Sequence, residues 1–224
     1  IEAWAFEGCT GLKSIEIPEN VSSIGDYAFR DCTGLTSVEI PHNVMELGQD
    51  VFYECSNLTD LTIDTETISS VSFGGLDNLV HLTLGSHVKS IESGMYGNGA
   101  FDHCSSLKTI TFAEGLESIG VYAFYACHSL ENIIFPDSLI NIGERAFAFC
   151  TNLSSVTFGE GLKNIEMYAF DGCTTLWSVY IPESVTSIGI GAFLYNPGLT
   201  DVYYAGSESE WKAISIGHSN GYLT

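Results

Sequence analysis

The sequence predicts a β-rich solenoid of nine stacked coils, and three observations carry that prediction. A leucine recurs at Leu12, Leu35, Leu58, Leu79, Leu107, Leu130, Leu153, Leu176 and Leu199, with successive spacings of 23, 23, 21, 28, 23, 23, 23 and 23 residues. A phenylalanine stands six residues before each of them, at Phe6, Phe29, Phe52, Phe73, Phe101, Phe124, Phe147, Phe170 and Phe193. The stretches between share one template, I-G-x-x-A-F-x-x-C-x-x-L-x-x-I-x-I, as in IGDYAFRDCTGLTSVEI from Ile24 and IGERAFAFCTNLSSVTF from Ile142. A fixed period of this kind marks a unit that cannot bury its apolar edges alone and must stack on copies of itself.

Each element of the coil has a physical reading. The L-x-x-I-x-I stretch alternates apolar and polar, as a half-buried strand does. In the first coil Leu12, Ile15 and Ile17 should face inward and Ser14 and Glu16 outward. Proline follows several strands, at Pro18, Pro41, Pro136 and Pro182, where no further ladder hydrogen bond is donated. An apolar anchor comes next (Val21, Val44, Leu116, Leu139, Leu162 or Val185), and the chain reaches the isoleucine of I-G. The glycine there is not obligatory, because Glu2, Glu92 and Glu166 fill the same slot, so its backbone angles should suit an ordinary residue. Ala28, Phe29 and Cys32 have the spacing of one face of a single helical turn. Two units depart from the period: one is two residues short between Ile63 and Ile68, and the next is five longer between Ile91 and Phe101.

The period falls in the range of about 20–29 residues typical of leucine-rich repeats. The expected fold is therefore a leucine-rich-repeat solenoid, a β-rich α/β architecture. One long parallel sheet should line a concave face, with short helical turns and extended segments elsewhere. Residues 1–204 should form the solenoid, with Ile1 starting in mid-repeat, so that sequence is expected upstream. Residues 205–224 should form a C-terminal capping segment, itself expected to be cut short. There Trp211, Ile214 and Ile216 would cover the last coil while Glu208 and Glu210 face water.

Charge narrows the partners. Twenty-eight acidic side chains face seven basic ones, for a net charge of −21. Such a surface repels nucleic acid, anionic lipid and acidic sugars, because it has little with which to replace their counterions. The same charge keeps a chain that is 45% hydrophobic soluble, and a monomer is expected. No apolar run has the length of a membrane span, and the N-terminus, IEAWAFEGC, has neither the basic start nor the apolar core of an export signal.

The sequence offers little chemistry. The cysteines Cys9, Cys32, Cys55, Cys104, Cys127, Cys150 and Cys173 each lie three residues before a ladder leucine, and Leu76 and Asn196 take that slot in the other coils. A slot shared with leucine is a packing slot, where cysteine acts as a small hydrophobe. Disulfides are the rival reading, since neighbouring strands at about 4.8 Å are within bridging range. Ladder side chains run parallel, however, and an odd number cannot all pair, so free buried thiols are expected, which suits a reducing or anaerobic setting. His103-Cys104 and Cys127-His128 match no structural zinc spacing, so no metal site is expected. No nucleophile elbow, phosphate loop or metalloprotease motif occurs, and neither catalytic residues nor cofactors are expected.

A ligand would meet the outward strand positions. From first coil to last they run from Ser14/Glu16, Ser37/Glu39 and Asp60/Thr62 to Asn132/Ile134, Ser155/Thr157, Ser178/Tyr180 and Asp201/Tyr203. Their early end is acidic, their middle hydroxylated and their late end aromatic. Ile134, Trp177, Tyr180 and Tyr203 are therefore candidate contacts, although tyrosine and threonine also suit strands for their own sake. A second candidate is the insertion SGMYGNG at 93–99, whose glycines read as a flexible loop carrying Met95 and Tyr96.

The template I-G-x-x-A-F-x-x-C-x-x-L-x-x-I-x-I-P resembles the BspA-like class of leucine-rich repeats, over residues 1 to about 204. The closing stretch VYYAGSESEWKAISIGHSNGYL is similar to the segment that often ends such arrays. The resemblance implies an extracellular or cell-surface protein of bacterial type, associated with adhesion, and it carries over no catalytic residues. Two functions remain open. One is a non-catalytic module that binds an unidentified protein or glycoprotein through the concave sheet face. The other is a stalk that presents another domain and has no ligand of its own.

Overall fold

The computed structural model describes residues 1–95 and 98–223. Its coils stack so that every strand lies parallel to the equivalent strand of the next coil. Eight long strands form one sheet, running from Ser37–Ile40 through Asp60–Ile63, His81–Leu84, Thr109–Phe112, Asn132–Ile134, Ser155–Thr157 and Ser178–Ile181 to Asp201–Tyr204. The first coil contributes no strand to it, so nine repeats carry eight long strands. Seven two-residue strands, from Thr67–Ile68 to Ser215–Ile216, make a second sheet at the I-G corner.

Alternation decides which side chains go inside. In Ser37–Ile40, Val38 and Ile40 are buried while Ser37 and Glu39 are exposed. Register follows the repeat: Val156 pairs with Val179, and Val179 with Val202. It also survives the length changes, since Asp60 pairs with His81 and His81 with Thr109. Insertion and deletion are thus absorbed outside the long strands, where a shift of one residue would turn the whole apolar set outward.

The phenylalanine column is the spine of the core. The side chains from Phe29 to Phe193 are at most 1% exposed. Successive rings stack nearly parallel, for example Phe124 on Phe147 at 5.1 Å and Phe147 on Phe170 at 5.4 Å. Burial of each ring contributes about 1.5–3 kcal/mol, and each stacked pair about 0.5–1.5 more.

The A-F-x-x-C stretch is not helical, and this corrects the expectation of a helical turn. Two positions of the coil adopt left-handed backbone angles, the first of them in every coil but the fourth and fifth. One precedes Ala-Phe, at Trp4, Tyr27, Asp50, Tyr122, Arg145 and Tyr168, with φ between 48° and 63°. The other lies two residues after the phenylalanine, at Asp31, Glu54, His103, Ala126, Phe149 and Tyr195, with φ between 53° and 62°. The backbone therefore alternates its partners. Ala28 N–H and Arg30 N–H close local turns on Gly25 and Tyr27 carbonyls, while Tyr27, Phe29 and Asp31 donate to Gln49, Val51 and Tyr53 of the next coil at 2.8–2.9 Å. A helix would satisfy all these groups internally and leave nothing to bind the neighbouring coil. The rungs between coils offset a left-handed conformation that costs a non-glycine residue about 1–2 kcal/mol.

The cysteine slot has a second role beyond packing. Each buried thiol donates to the carbonyl of the ladder phenylalanine one coil back: Cys32 to Phe6 at 3.0 Å, Cys55 to Phe29 at 3.1 Å, Cys127 to Phe101 at 3.2 Å and Cys173 to Phe147 at 3.3 Å. Asn196 does the same to Phe170 at 2.8 Å. Burial pushes the Cys55, Cys104 and Cys150 thiols up to about 12. All seven cysteines are free, and Cys9, in the first coil, is exposed where a buried thiol was expected.

At Gly25 and Gly143 the I-G glycine serves close approach of the neighbouring coil rather than special backbone angles. A Cβ on Gly25 would lie 2.5 Å from the Ala3 nitrogen, and one on Gly143 would lie 2.7 Å from the Gly120 carbonyl carbon.

The stack is weakest at the junction where the two-residue deletion falls. Glu46–Leu47 pairs only with Ser23–Ile24, so the corner sheet breaks before Thr67–Ile68. Phe52 and Phe73 are 6.2 Å apart, wider than any other step of the column. Of the usual three backbone rungs only Asp50 N–H to Val71 C=O is made, and Leu76 has no donor for the Phe52 carbonyl. A polar cleft opens there between Asp50, Val71, Gly74 and Asp102.

At the other end residues 205–223 close the last coil. The only helix among the described residues, Glu208–Trp211, starts with a capping box between Ser207 and Glu210. Ile214 is buried, Trp211 and Ile216 pack against the core, and Glu208 and Glu210 stay exposed. Asn220 is buried and takes the place of a further coil: its side chain accepts from Phe193 N–H and donates to the Gly189 carbonyl. No helix of the described residues is long and apolar enough to cross a membrane.

Candidate binding surface

The long sheet displays its outward residues in straight columns. Asn132, Ser155, Ser178 and Asp201 form one, and Ile134, Thr157, Tyr180 and Tyr203 form the next. The second column holds three of the candidate residues in register. Ile134 is 71% exposed, Tyr180 46% and Tyr203 55%. Tyr180 and Tyr203 are direct partners on adjacent strands, about 4.8 Å apart along the stack. Trp177, 54% exposed, stands at the entry of the same strand as Tyr180. Its carbonyl accepts from Thr200 and Asp201 N–H groups, which fixes the backbone that carries it.

The sheet beneath is rigid. Val179 and Val202 face the core under the two tyrosines, and four successive pairs tie Ser178–Ile181 to Asp201–Tyr204. Hydroxyls surround the aromatic groups, with Ser155 donating to Asn132 Oδ1 at 2.6 Å. At the opposite end the face is acidic, with Glu39 and Asp60 exposed.

The described residues of the insertion are not part of this surface. It leaves the chain after Ser90–Ile91, at the corner sheet, and Gly94 N–H bonds the Val121 carbonyl. Met95 is 71% exposed and bridges Asn98 in antiparallel fashion. Tyr96 lies outside the described residues. The histidines beside Cys104 and Cys127 are likewise turned from their cysteines: His103 Nδ1 meets Asp102 at 3.1 Å, and His128 Nδ1 the Phe149 carbonyl at 3.0 Å, while both thiols are buried.

A second aromatic surface was missed by sequence reasoning. The left-handed positions project side chains along the turn side of the coils. Trp4 stacks on Tyr27 at 4.4 Å, and the Arg30 guanidinium lies 5.7–6.0 Å from the rings of Trp4, Tyr27 and Tyr53. Arg145 lies 4.8 Å over Tyr168 and donates to the Tyr122 hydroxyl at 3.0 Å. The signal was the recurrence of Trp, Tyr, Tyr, Arg and Tyr just before Ala-Phe. These rings are already engaged by local cations and by one another. Among the described residues, Tyr180 and Tyr203 have no aromatic or cation–π partner. On the turn side Tyr195, 67% exposed, is likewise without a ring or cation partner but stands alone, whereas Tyr180 and Tyr203 stand side by side at the late end of the long sheet.

A family model described as the BspA type leucine rich repeat region matches in six copies, over residues 1–99 and 95–216. The chain belongs to this family. Among solved structures, it is similar to a leucine-rich repeat protein of T. pallidum, with a TM-score of 0.54 and 26% identity over 84% of this chain and 78% of that one. A leucine rich cell surface protein from Faecalibacterium prausnitzii matches at 25% identity over 91% of this chain and 82% of that one, with a TM-score of 0.43. The pneumococcal vaccine antigen PcpA matches at 24% identity over 82% of this chain and 54% of that one, with a TM-score of 0.47. No curated protein matches the chain. In this BspA-type array the repeat motif accounts for the core, and the outward columns are the part free to differ.

Proposed function

We propose that this chain is a binding module, not a catalyst, of a secreted or cell-surface protein. It captures a protein or glycoprotein ligand through the late end of the long-sheet face. The observation that carries this reading is the column Ile134–Thr157–Tyr180–Tyr203, with Trp177 beside it: apolar and aromatic groups left exposed on a rigid sheet, with hydroxyls between them. Aromatic anchors on a pre-organised surface lose little entropy on binding and dominate interface energetics. Family membership supports the assignment to adhesion at a bacterial surface. The net charge of −21 favours neutral or basic ligands.

The test is saturable binding of the chain to immobilised matrix proteins and mucin glycoproteins at physiological salt. One target should be bound. A surface whose two central anchors contribute about 2 kcal/mol each should weaken about 30-fold for each tyrosine removed. Binding of nothing in the panel would favour the stalk reading, for which the regular 23-residue stack is the supporting observation. A stalk should tolerate loss of both tyrosines and respond only to a change in coil number.

A further inference from the structure

The geometry points to a transition-metal site of the zinc class in the notch formed by His42, Asp64 and His87. These residues lie in three successive corners, each just past a strand of the long sheet: Ser37–Ile40, Asp60–Ile63 and His81–Leu84. One ligand atom from each lies within 4.8 Å of the others. The sequence conceals the site, because the residues are 22 and 23 positions apart and match no short metal motif.

The two-residue deletion creates the notch. His42 and His87 belong to coils two steps apart, which at about 4.8 Å per strand should hold them about 9.6 Å apart. Their rings nevertheless stack at 4.8 Å, with 24° between planes. The corner between them is the shortened one, Asp64 to Thr67, so no full turn of chain stands in the way. Asp64, less exposed than His87, sits between them as the floor. Its Oδ1 accepts the His87 backbone N–H at 3.0 Å, which orients the carboxylate, and its Oδ2 meets His87 Nδ1 at 2.7 Å.

Two imidazoles and a carboxylate form a donor set for zinc, cobalt, nickel or copper rather than for magnesium or calcium, which take oxygen ligands. Ligand atoms around a tetrahedral zinc, with bonds of about 2.0–2.1 Å, stand about 3.4 Å apart. Rotation of the two exposed imidazole side chains brings the ligand atoms to that value, opening the 2.7 Å contact between His87 and Asp64 and closing the wider ones. Solvent would complete the coordination. The cation would tie three coils together across the junction where the corner sheet breaks and the phenylalanine column widens. In a chain of net charge −21 it would also relieve repulsion.

The experiment is calorimetric titration of tag-free, metal-stripped protein with zinc chloride, beside His42→Ala/His87→Ala and Asp64→Asn variants. Asp64→Asn keeps an acceptor for the His87 N–H. Cys9→Ser removes the exposed thiol as a competing ligand. The parent and Cys9→Ser should bind one equivalent, and cobalt should give the visible absorption of a site with nitrogen and oxygen ligands. Magnesium should not compete. The double histidine variant should lose at least about 10-fold in affinity, since even outer-sphere changes at metal sites cost about 10–100-fold. Its circular dichroism and metal-free urea midpoint should be those of the parent. Zinc should also slow amide exchange at residues 41–44, 64–67 and 85–88 and leave 155–181 unchanged. The inference is overturned if the parent binds no zinc, or if the double variant binds it as tightly.

Discussion

Removal of Phe147 tests how the coils hold one another. Its ring is fully buried, lies between Phe124 at 5.1 Å and Phe170 at 5.4 Å, and meets the edge of Phe135 at 5.5 Å. Phe147→Ala removes the transfer free energy of a buried ring and leaves a cavity, together about 3–5 kcal/mol. Two stacked neighbours that cannot collapse into the space put this position near the upper end of that range. Phe52→Ala should cost less, because its contact with Phe73 is already stretched to 6.2 Å. Urea unfolding gives the two costs, and hydrogen exchange shows where the loss falls. In a stack with nearest-neighbour coupling, the lesion should open residues 142–158 and the adjoining coils first. Equal costs for the two variants, or a uniform fall in protection from coil one to coil nine, would refute the ladder account.

Three further expectations concern the slots between the ladders. In native protein a thiol reagent should label Cys9 rapidly and the six buried cysteines only after urea; fast labelling of Cys127 or Cys150 would contradict their burial. The buried thiols have folded pKa values raised above the unfolded value of about 8.5. Their contribution to stability is therefore complete below about pH 8.5 and is lost as pH rises toward about 12, by up to about 1.4 kcal/mol per thiol per pH unit. Urea midpoints that stay level between neutral pH and about pH 10 would refute this. Glu54→Gly relieves a left-handed residue at φ 60° in an exposed slot that Gly8, Gly75 and Gly172 fill in other coils. It should raise stability by about 0.5–1 kcal/mol in the same assay, and a loss of that size would show the backbone there to be unstrained.

What the sequence made legible was whatever repeats. The leucine, isoleucine and phenylalanine columns appear in the structure as ladders, and the outward strand positions appear as columns with Tyr180 opposite Tyr203. Local shape between the columns was not legible. Ala28, Phe29 and Cys32 do share a buried face, but the helix inferred from their spacing is absent, because Tyr27 and Asp31 are left-handed. Tyrosine does not announce such a conformation and aspartate does so only weakly; it is imposed by hydrogen bonds to the next coil, a tertiary effect that overrides propensity. The cysteine slot read as packing, and only the folded stack aligns its thiols with phenylalanine carbonyls one coil back. Irregularities were visible as spacings, yet their effect was not. A missing pair of residues after Ile63 says nothing, in one dimension, about two histidines 45 positions apart coming into contact.

The claim that the late end of the long sheet is the binding surface is tested most directly by comparing two aromatic variants. Tyr180→Ala/Tyr203→Ala removes both tyrosines of the outward column, and Tyr53→Ala/Tyr195→Ala removes two tyrosines of the turn side, exposed in both cases. Affinity for the matrix protein or glycoprotein captured by the parent should fall at least about 30-fold in the first variant and stay within about twofold in the second, both with parental urea midpoints. The reverse pattern would move the site to the turn side and contradict the account.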